Sequence, residues 1–242
     1  MSFTLSEVVP WGRSYDEYIL MFSLSPADLK ENILGCGDGP ACFNSILSSK
    51  GGSVVSVDPA YSFTTEEIRK RIKETYKEVL DQTRKNKDEF IWENISSVEE
   101  LGRIRMAAME SFLKDFENGK AEGRYIVGSL PELPFNNKEF VIALCSHFLF
   151  LYSEQLSEKF HLTSIRELCR VAQEVRIFPI LELGAKKSRH VKPIIERLEK
   201  ENYHIEIKQV PYQFQKGGNE MIIIKSPNLY KASVCQGINL SD

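Results

Sequence analysis

Three glycines spaced two residues apart stand in the run Glu31-Asn-Ile-Leu-Gly-Cys-Gly-Asp-Gly-Pro40. Without a Cβ, Gly35, Gly37 and Gly39 let the backbone turn sharply and come close to a bound molecule, and a helix that follows points free N–H groups at it. The run admits a dinucleotide, a phosphate or another small ligand. A second chemical group, Asp58, follows the buried-type run Ser53-Val-Val-Ser-Val57. A third, His147, comes just after Phe140-Val-Ile-Ala-Leu-Cys145, where an imidazole suits proton abstraction near neutral pH. The other histidines carry less: His161 falls in a helical stretch and His204 opens a strand. His190 lies in the basic run Lys186-Lys-Ser-Arg-His-Val-Lys192, read as a solvated loop, with an anionic acceptor as the alternative.

These groups need elements to position them. A short strand over 32–34 leads into the glycines, and Pro40 suits the first turn of a helix, where no N–H is required. Gly51-Gly52 turns the chain into a second strand over 53–57, giving one βαβ unit that ends on Asp58-Pro59. Residues 64–118 read as two long helices. The first opens with the capping box Thr64-Thr-Glu-Glu67 and carries Ile68, Ile72, Tyr76, Val79 and Leu80 on one face. The second opens with Ser97-Val-Glu-Glu100, aligns Leu101, Ile104, Ala108, Phe112 and Phe116, and is expected to stop at Gly119. A crossover needs only one modest helix, so 62–122 is read as a helical insertion. Its charge points to a solvated surface, with a lid over a pocket as the alternative.

The βα pattern then resumes. Strands are expected over 124–127, 140–145 and 174–178, the second apolar throughout as a central parallel strand should be. Helices are expected over 157–172 and 192–201. Two strands, 204–208 and 220–225, come last with no helix between them and predict an antiparallel finish. The reading is an α/β fold: three layers, doubly wound, a mostly parallel sheet of about seven strands with the last antiparallel, in one domain over 1–242 with a helical cap over 1–30.

Composition narrows the partners. Hydrophobic residues at 42% and charged residues at 27% are ordinary for a soluble globular chain. A net charge of −3 gives no long-range attraction for nucleic acid. The five cysteines, Cys36, Cys42, Cys145, Cys169 and Cys235, are scattered without a Cys-x-x-Cys pair, which argues for a reducing compartment and against a structural zinc site. The N-terminus lacks the layout of a signal peptide, and the apolar run over 141–152 is too short to span a bilayer. A cytoplasmic protein with no membrane partner is expected. The oligomeric state stays open.

Four segments in order, ILGCGDG, the acid of SVDP, GSLPELPF and LCSHFLF, carry a resemblance to the class I (Rossmann-like) S-adenosylmethionine-dependent methyltransferases. The opening PWGRSYDEY and the stretch RELCRVAQEVRIFP are similar to a bacterial, largely cyanobacterial, group of methyltransferase-domain proteins. The resemblance implies S-adenosylmethionine as methyl donor, S-adenosylhomocysteine as product and a small-molecule acceptor. It places Gly35, Cys36 and Gly37 against the methionine and ribose, Asp58 and Pro59 at the ribose, and Ser129 and Leu130 at the adenine. Cys145 and Ser146 border the same cofactor, Arg13 and Tyr15 reach its carboxylate, and His147 is the base or lines the pocket.

Three positions depart from the family pattern. Ile33 stands where an acid is common, which weakens binding or moves that task to Arg13, Tyr15 or Asp38. Ser129 stands where many relatives carry an acid, and Val141 replaces another. A nicotinamide enzyme is disfavoured because the third glycine comes one residue early and Pro40 takes the final position. No Asn/Asp-Pro-Pro-Tyr/Phe stretch or Pro-Cys nucleophile points to nucleic-acid methylation. The alternative function is a non-catalytic or regulatory protein that keeps the cofactor pocket.

Overall fold

The computed structural model describes residues 9–227; Cys235 and the first eight residues of the expected cap lie outside them. Parallel strands β1 (Asn32–Cys36), β2 (Ser53–Val57), β3 (Tyr125–Ile126), β4 (Phe140–Ser146) and β5 (Ala172–Phe178) form most of one sheet. A two-strand ribbon comes next, β6 (Leu181–Glu182) with β7 (Lys186–Lys187), and then β8 (His204–Gln209) and β9 (Glu220–Lys225). The seven strands run β3-β2-β1-β4-β5-β9-β8, with β9 antiparallel to both neighbours. This is the α/β architecture expected from the sequence. β1 and β4 are buried almost throughout because helices cover both faces.

Register decides where the chemistry goes. Cys36 pairs with Val57 on one side and Cys145 on the other, Val57 pairs with Ile126, and Ser146 pairs with Phe178. Gly37, Asp58, Gly128 and His147 therefore leave the sheet along one C-terminal edge.

Helices α1 (Tyr15–Met21) and α2 (Phe43–Ser49) pack on one face, where Tyr18, Phe22, Phe43 and Leu47 meet Ile33, Ile142 and Leu144. Ile33 is fully buried there, and an unpaired carboxylate at that position would be costly. The second helix starts at Phe43 rather than Pro40: the Cys42 N–H donates to the Arg13 carbonyl at 3.1 Å, which holds 38–42 as a loop. Helices α5 (Glu158–Val171) and α6 (Val191–Lys200) cover the other face with Ile165, Leu168, Ile194 and Leu198.

The long helices are α3 (Thr65–Lys85), capped by Thr64 and Glu67 as expected, and α4 (Val98–Ala121), capped by Ser97. The C-terminal half of α4 packs on α2 and β3, so α4 is the crossover helix and α3 the additional leg. Phe112, Phe116, Tyr61 and Tyr125 make this joint, with ring centroids 5.0–5.9 Å apart. Gly119 does not end α4, which continues to Ala121; a Cβ at Gly119 would stand 2.4 Å from the Tyr125 ring, so glycine there makes room for an aromatic. The link between α3 and α4 is strapped to the loop before β9. Ile91 N–H donates to the Phe214 carbonyl at 2.7 Å, Lys216 N–H to the Glu89 carbonyl at 2.9 Å, and Phe90, Trp92 and Phe214 cluster at 4.9–6.0 Å. Among the described residues no helix is long and apolar enough to cross a membrane.

Candidate functional site

A cavity of about 810 Å³ opens at the C-terminal edge of the sheet, the place where open α/β folds bind ligands. One wall consists of strand ends. Gly37 (φ +70°) and Gly39 (φ +49°) take the left-handed turn that favours glycine. Asp58 ties the turn together: its Oδ2 accepts from Gly39 N–H and its Oδ1 from Ala60 N–H, each at 2.8 Å. Burial raises the Asp58 pKa. Each of its oxygens retains a further lone pair, and the residue borders the cavity.

Asp38 is the acid beside it. Its carboxylate accepts from Tyr18 Oη at 2.8 Å and Ser56 Oγ at 2.7 Å. Burial pushes its pKa up to about 6, and the charge of Asp58 adds to the rise. The carboxylate folds back over Gly35, where a Cβ would stand 1.8 Å from Asp38 Oδ2. Gly35 is thus required by Asp38 and does not line the cavity.

A second part of the lining is cationic and aromatic. Arg105, 1% exposed on α4, forms an ion pair with Glu17, whose other oxygen accepts from Tyr212 Oη at 2.7 Å. Burial would raise the Glu17 pKa, but the Arg105 cation overrides it and holds Glu17 at about 2. Arg13 donates through Nη1 to the Trp11 carbonyl, and its pKa falls to about 10 through burial and the neighbouring Arg105. Among the described residues the buried Nε atoms of Arg13 and Arg105 have no hydrogen-bond partner, and both residues line the cavity.

His147 borders the same cavity. Its φ of +49° is a left-handed conformation that costs a non-glycine residue energy. It is held by an N–H bond to the Phe178 carbonyl at 2.7 Å and by Nδ1 against Ser146 Oγ at 2.9 Å. Burial, then the cations of Arg13 and Arg105, lower its pKa well below the usual value, so the ring is neutral around pH 7.

Of the residues the resemblance assigned, Arg13, Cys36, Gly37, Asp58, Pro59, Ser129, Leu130, Ser146 and His147 come together on this cavity. Gly35, Tyr15 and Cys145 do not. Tyr15 stacks on Phe43 at 5.7 Å beneath Lys50. Cys145 is fully buried within the sheet, where burial pushes its thiol up to about 12. His161 is structural, both ring nitrogens lying 2.8–2.9 Å from backbone carbonyls. Arg189 of the basic run is engaged by Glu182 and Glu154. Sequence reading missed Glu17, Tyr18, Arg105 and Tyr212. The available signal was Arg105 itself, a charge set four residues after Leu101 on the apolar stripe of α4.

The strand order, with β9 reversed, is the arrangement of the Rossmann-like methyltransferase fold. The chain belongs to the family of uncharacterized protein MJ0045 of Methanocaldococcus jannaschii, with 34% identity over 226 residues that cover 91% of this chain and 97% of that protein. No protein-family model matches it. Among solved structures it is similar to magnesium protoporphyrin IX methyltransferase from Synechocystis PCC 6803 with bound SAM (TM-score 0.44, 11% identity, 88% of this chain and 77% of the other). It is also similar to a TehB-like SAM-dependent methyltransferase from Corynebacterium glutamicum (TM-score 0.45, 15% identity, 88% of each chain).

Proposed function

We propose that the protein is an S-adenosylmethionine-dependent methyltransferase acting on a small molecule. One observation carries the reading: the segments that leave β1, β2, β3 and β4 border a single cavity, and Asp58 faces it with lone pairs to spare. The residues fit the cofactor. Asp58 is placed to receive the ribose hydroxyls, and Ser129 and Leu130 border the adenine side. The turn over 36–39, with Ser146 beside it, accommodates the methionine end, while Asp38 supplies the acid that Ile33 lacks.

When bound, the cofactor supplies a methyl group on a sulfonium, which passes in line to an acceptor lone pair as the carbon–sulfur bonding pair returns to sulfur. The protein's part is alignment and exclusion of water. His147, unprotonated at neutral pH, is positioned to accept the acceptor's proton or to hold its X–H bond in line.

Thermal unfolding with S-adenosylmethionine and then S-adenosylhomocysteine tests the reading. Binding at a hundredfold excess over Kd should add about 2.7 kcal/mol of stability. No shift with either compound overturns it. A shift without turnover on any acceptor in cell extract favours the regulatory alternative.

A further inference from the structure

We infer that the acceptor half of the cavity takes a small monoanionic acid with an apolar or aromatic body, its carboxylate received by Arg13 and Arg105. The inference rests on the methyltransferase reading and names the substrate class for the same site. Of the three guanidinium groups that border the cavity, Arg71 is half-exposed beside Glu74, and of Arg13 and Arg105, Glu17 pairs with only one. Each of these two keeps a buried Nε–H with no partner among the described residues. An unfilled donor on a buried cation is expensive to leave so, and a carboxylate is the group whose planar pair of oxygens matches a guanidinium edge. One unmatched positive charge calls for a single negative charge rather than a dianionic phosphate.

The surroundings define the rest of the molecule. Phe148, Tyr152, Phe178 and Phe214 line the same space, and Phe178 meets Tyr212 edge-on at 5.8 Å. These walls suit an apolar or aryl body of small-molecule size. The carboxylates of Asp38 and Asp58, which border the same cavity, repel an acid and favour its seating on the arginines. An anion there also offsets the two cations that, after burial, lower the His147 pKa. Arg13, assigned to the methionine carboxylate by resemblance, is thereby placed on the acceptor.

Calorimetric titration of protein saturated with S-adenosylhomocysteine tests this, using cinnamate, 2-naphthoate and 4-phenylbutyrate against their primary amides. The acids should bind at least about tenfold tighter than the amides, as expected for charge-assisted hydrogen bonds. Arg13→Gln leaves only the neutral Arg105–Glu17 pair, so it should erase the preference while S-adenosylhomocysteine affinity holds. The double variant Arg105→Gln/Glu17→Gln removes one charge of each sign and should retain a preference. No preference for acids in the unmodified protein overturns the inference. So does an Arg13→Gln variant that loses S-adenosylhomocysteine affinity and keeps the acid preference. If S-adenosylhomocysteine does not bind but the Arg13-dependent preference persists, the anion site stands and the methyl-transfer reading falls.

Discussion

The two walls of the cavity are built by different means. The acidic wall is made of strand ends and the turns that leave them, held by backbone amides on Asp58 and fixed by sheet register. The cationic wall is made of side chains gathered from α1, α4 and the loop before β9: Glu17 meets Arg105 across 88 residues of sequence and Tyr212 across 195. Groups on a rigid edge can keep one geometry while the facing wall changes its partners. The place of the acidic wall is thus set by topology and that of the cationic wall by tertiary packing.

The sharpest way to break this contrast is Arg105→Met. It leaves Glu17 as a buried, unpaired charge and should cost about 3–5 kcal/mol in urea unfolding at pH 7, with Glu17→Gln added to it restoring most of the loss. A loss below about 1 kcal/mol would show that the cationic wall is not an integrated unit. The depressed Glu17 pKa sets the sign of the pH dependence. Its stabilisation is present above the ordinary value near 4.5 and is lost as pH falls toward about 2. The double variant should lack that acid-side loss.

On the acidic wall, Asp58→Ala should weaken S-adenosylmethionine by about 2–3 kcal/mol, roughly 30- to 150-fold by calorimetry. Stability should also drop by about 1 kcal/mol because the cap on Ala60 is removed. Unchanged affinity in the folded variant would place the ribose elsewhere.

Asp38→Asn sharpens the comparison because its pKa is displaced the opposite way from that of Glu17. A carboxyl raised to about 6 favours the fold at low pH, and that contribution is lost as pH rises through about 6. The amide should make the protein more stable by about 1–2 kcal/mol at pH 8 and change little at pH 4. Equal effects at both pH values would deny the buried charge. The smallest expected effect is that of Tyr15→Phe: cofactor affinity should stay within about twofold, since the ring lies off the cavity. A tenfold loss would return Tyr15 to the site.

The acidic wall was legible in the sequence because glycine spacing, an acid after an apolar run and a histidine after another are local patterns, and parallel register brings the ends of those strands level with one another. Gly35 was legible as a glycine but not for its reason, because the Asp38 carboxylate that needs the space returns from three residues on. Pro40 and Gly119 misled for the same cause: tertiary contacts with Arg13 and Tyr125 overrode local helix signals. Tyr15 and Cys145 were placed by the resemblance; Tyr15 stacks on Phe43 instead, and Cys145 is buried in the core beside its register partner Cys36. Nothing local announces that Glu17, Arg105 and Tyr212 meet.

The strap between 89–91 and 214–216 has a consequence for how such a molecule can diversify. It joins two segments that belong to no sheet strand, by backbone bonds that ask little of side-chain identity. Phe90, Trp92 and Phe214 can therefore be exchanged for other shapes while the tie persists, and the strands that carry Asp58 and His147 need not respond. Descendants of one ancestor can inherit the strand-end wall intact and still part ways over what the facing wall admits.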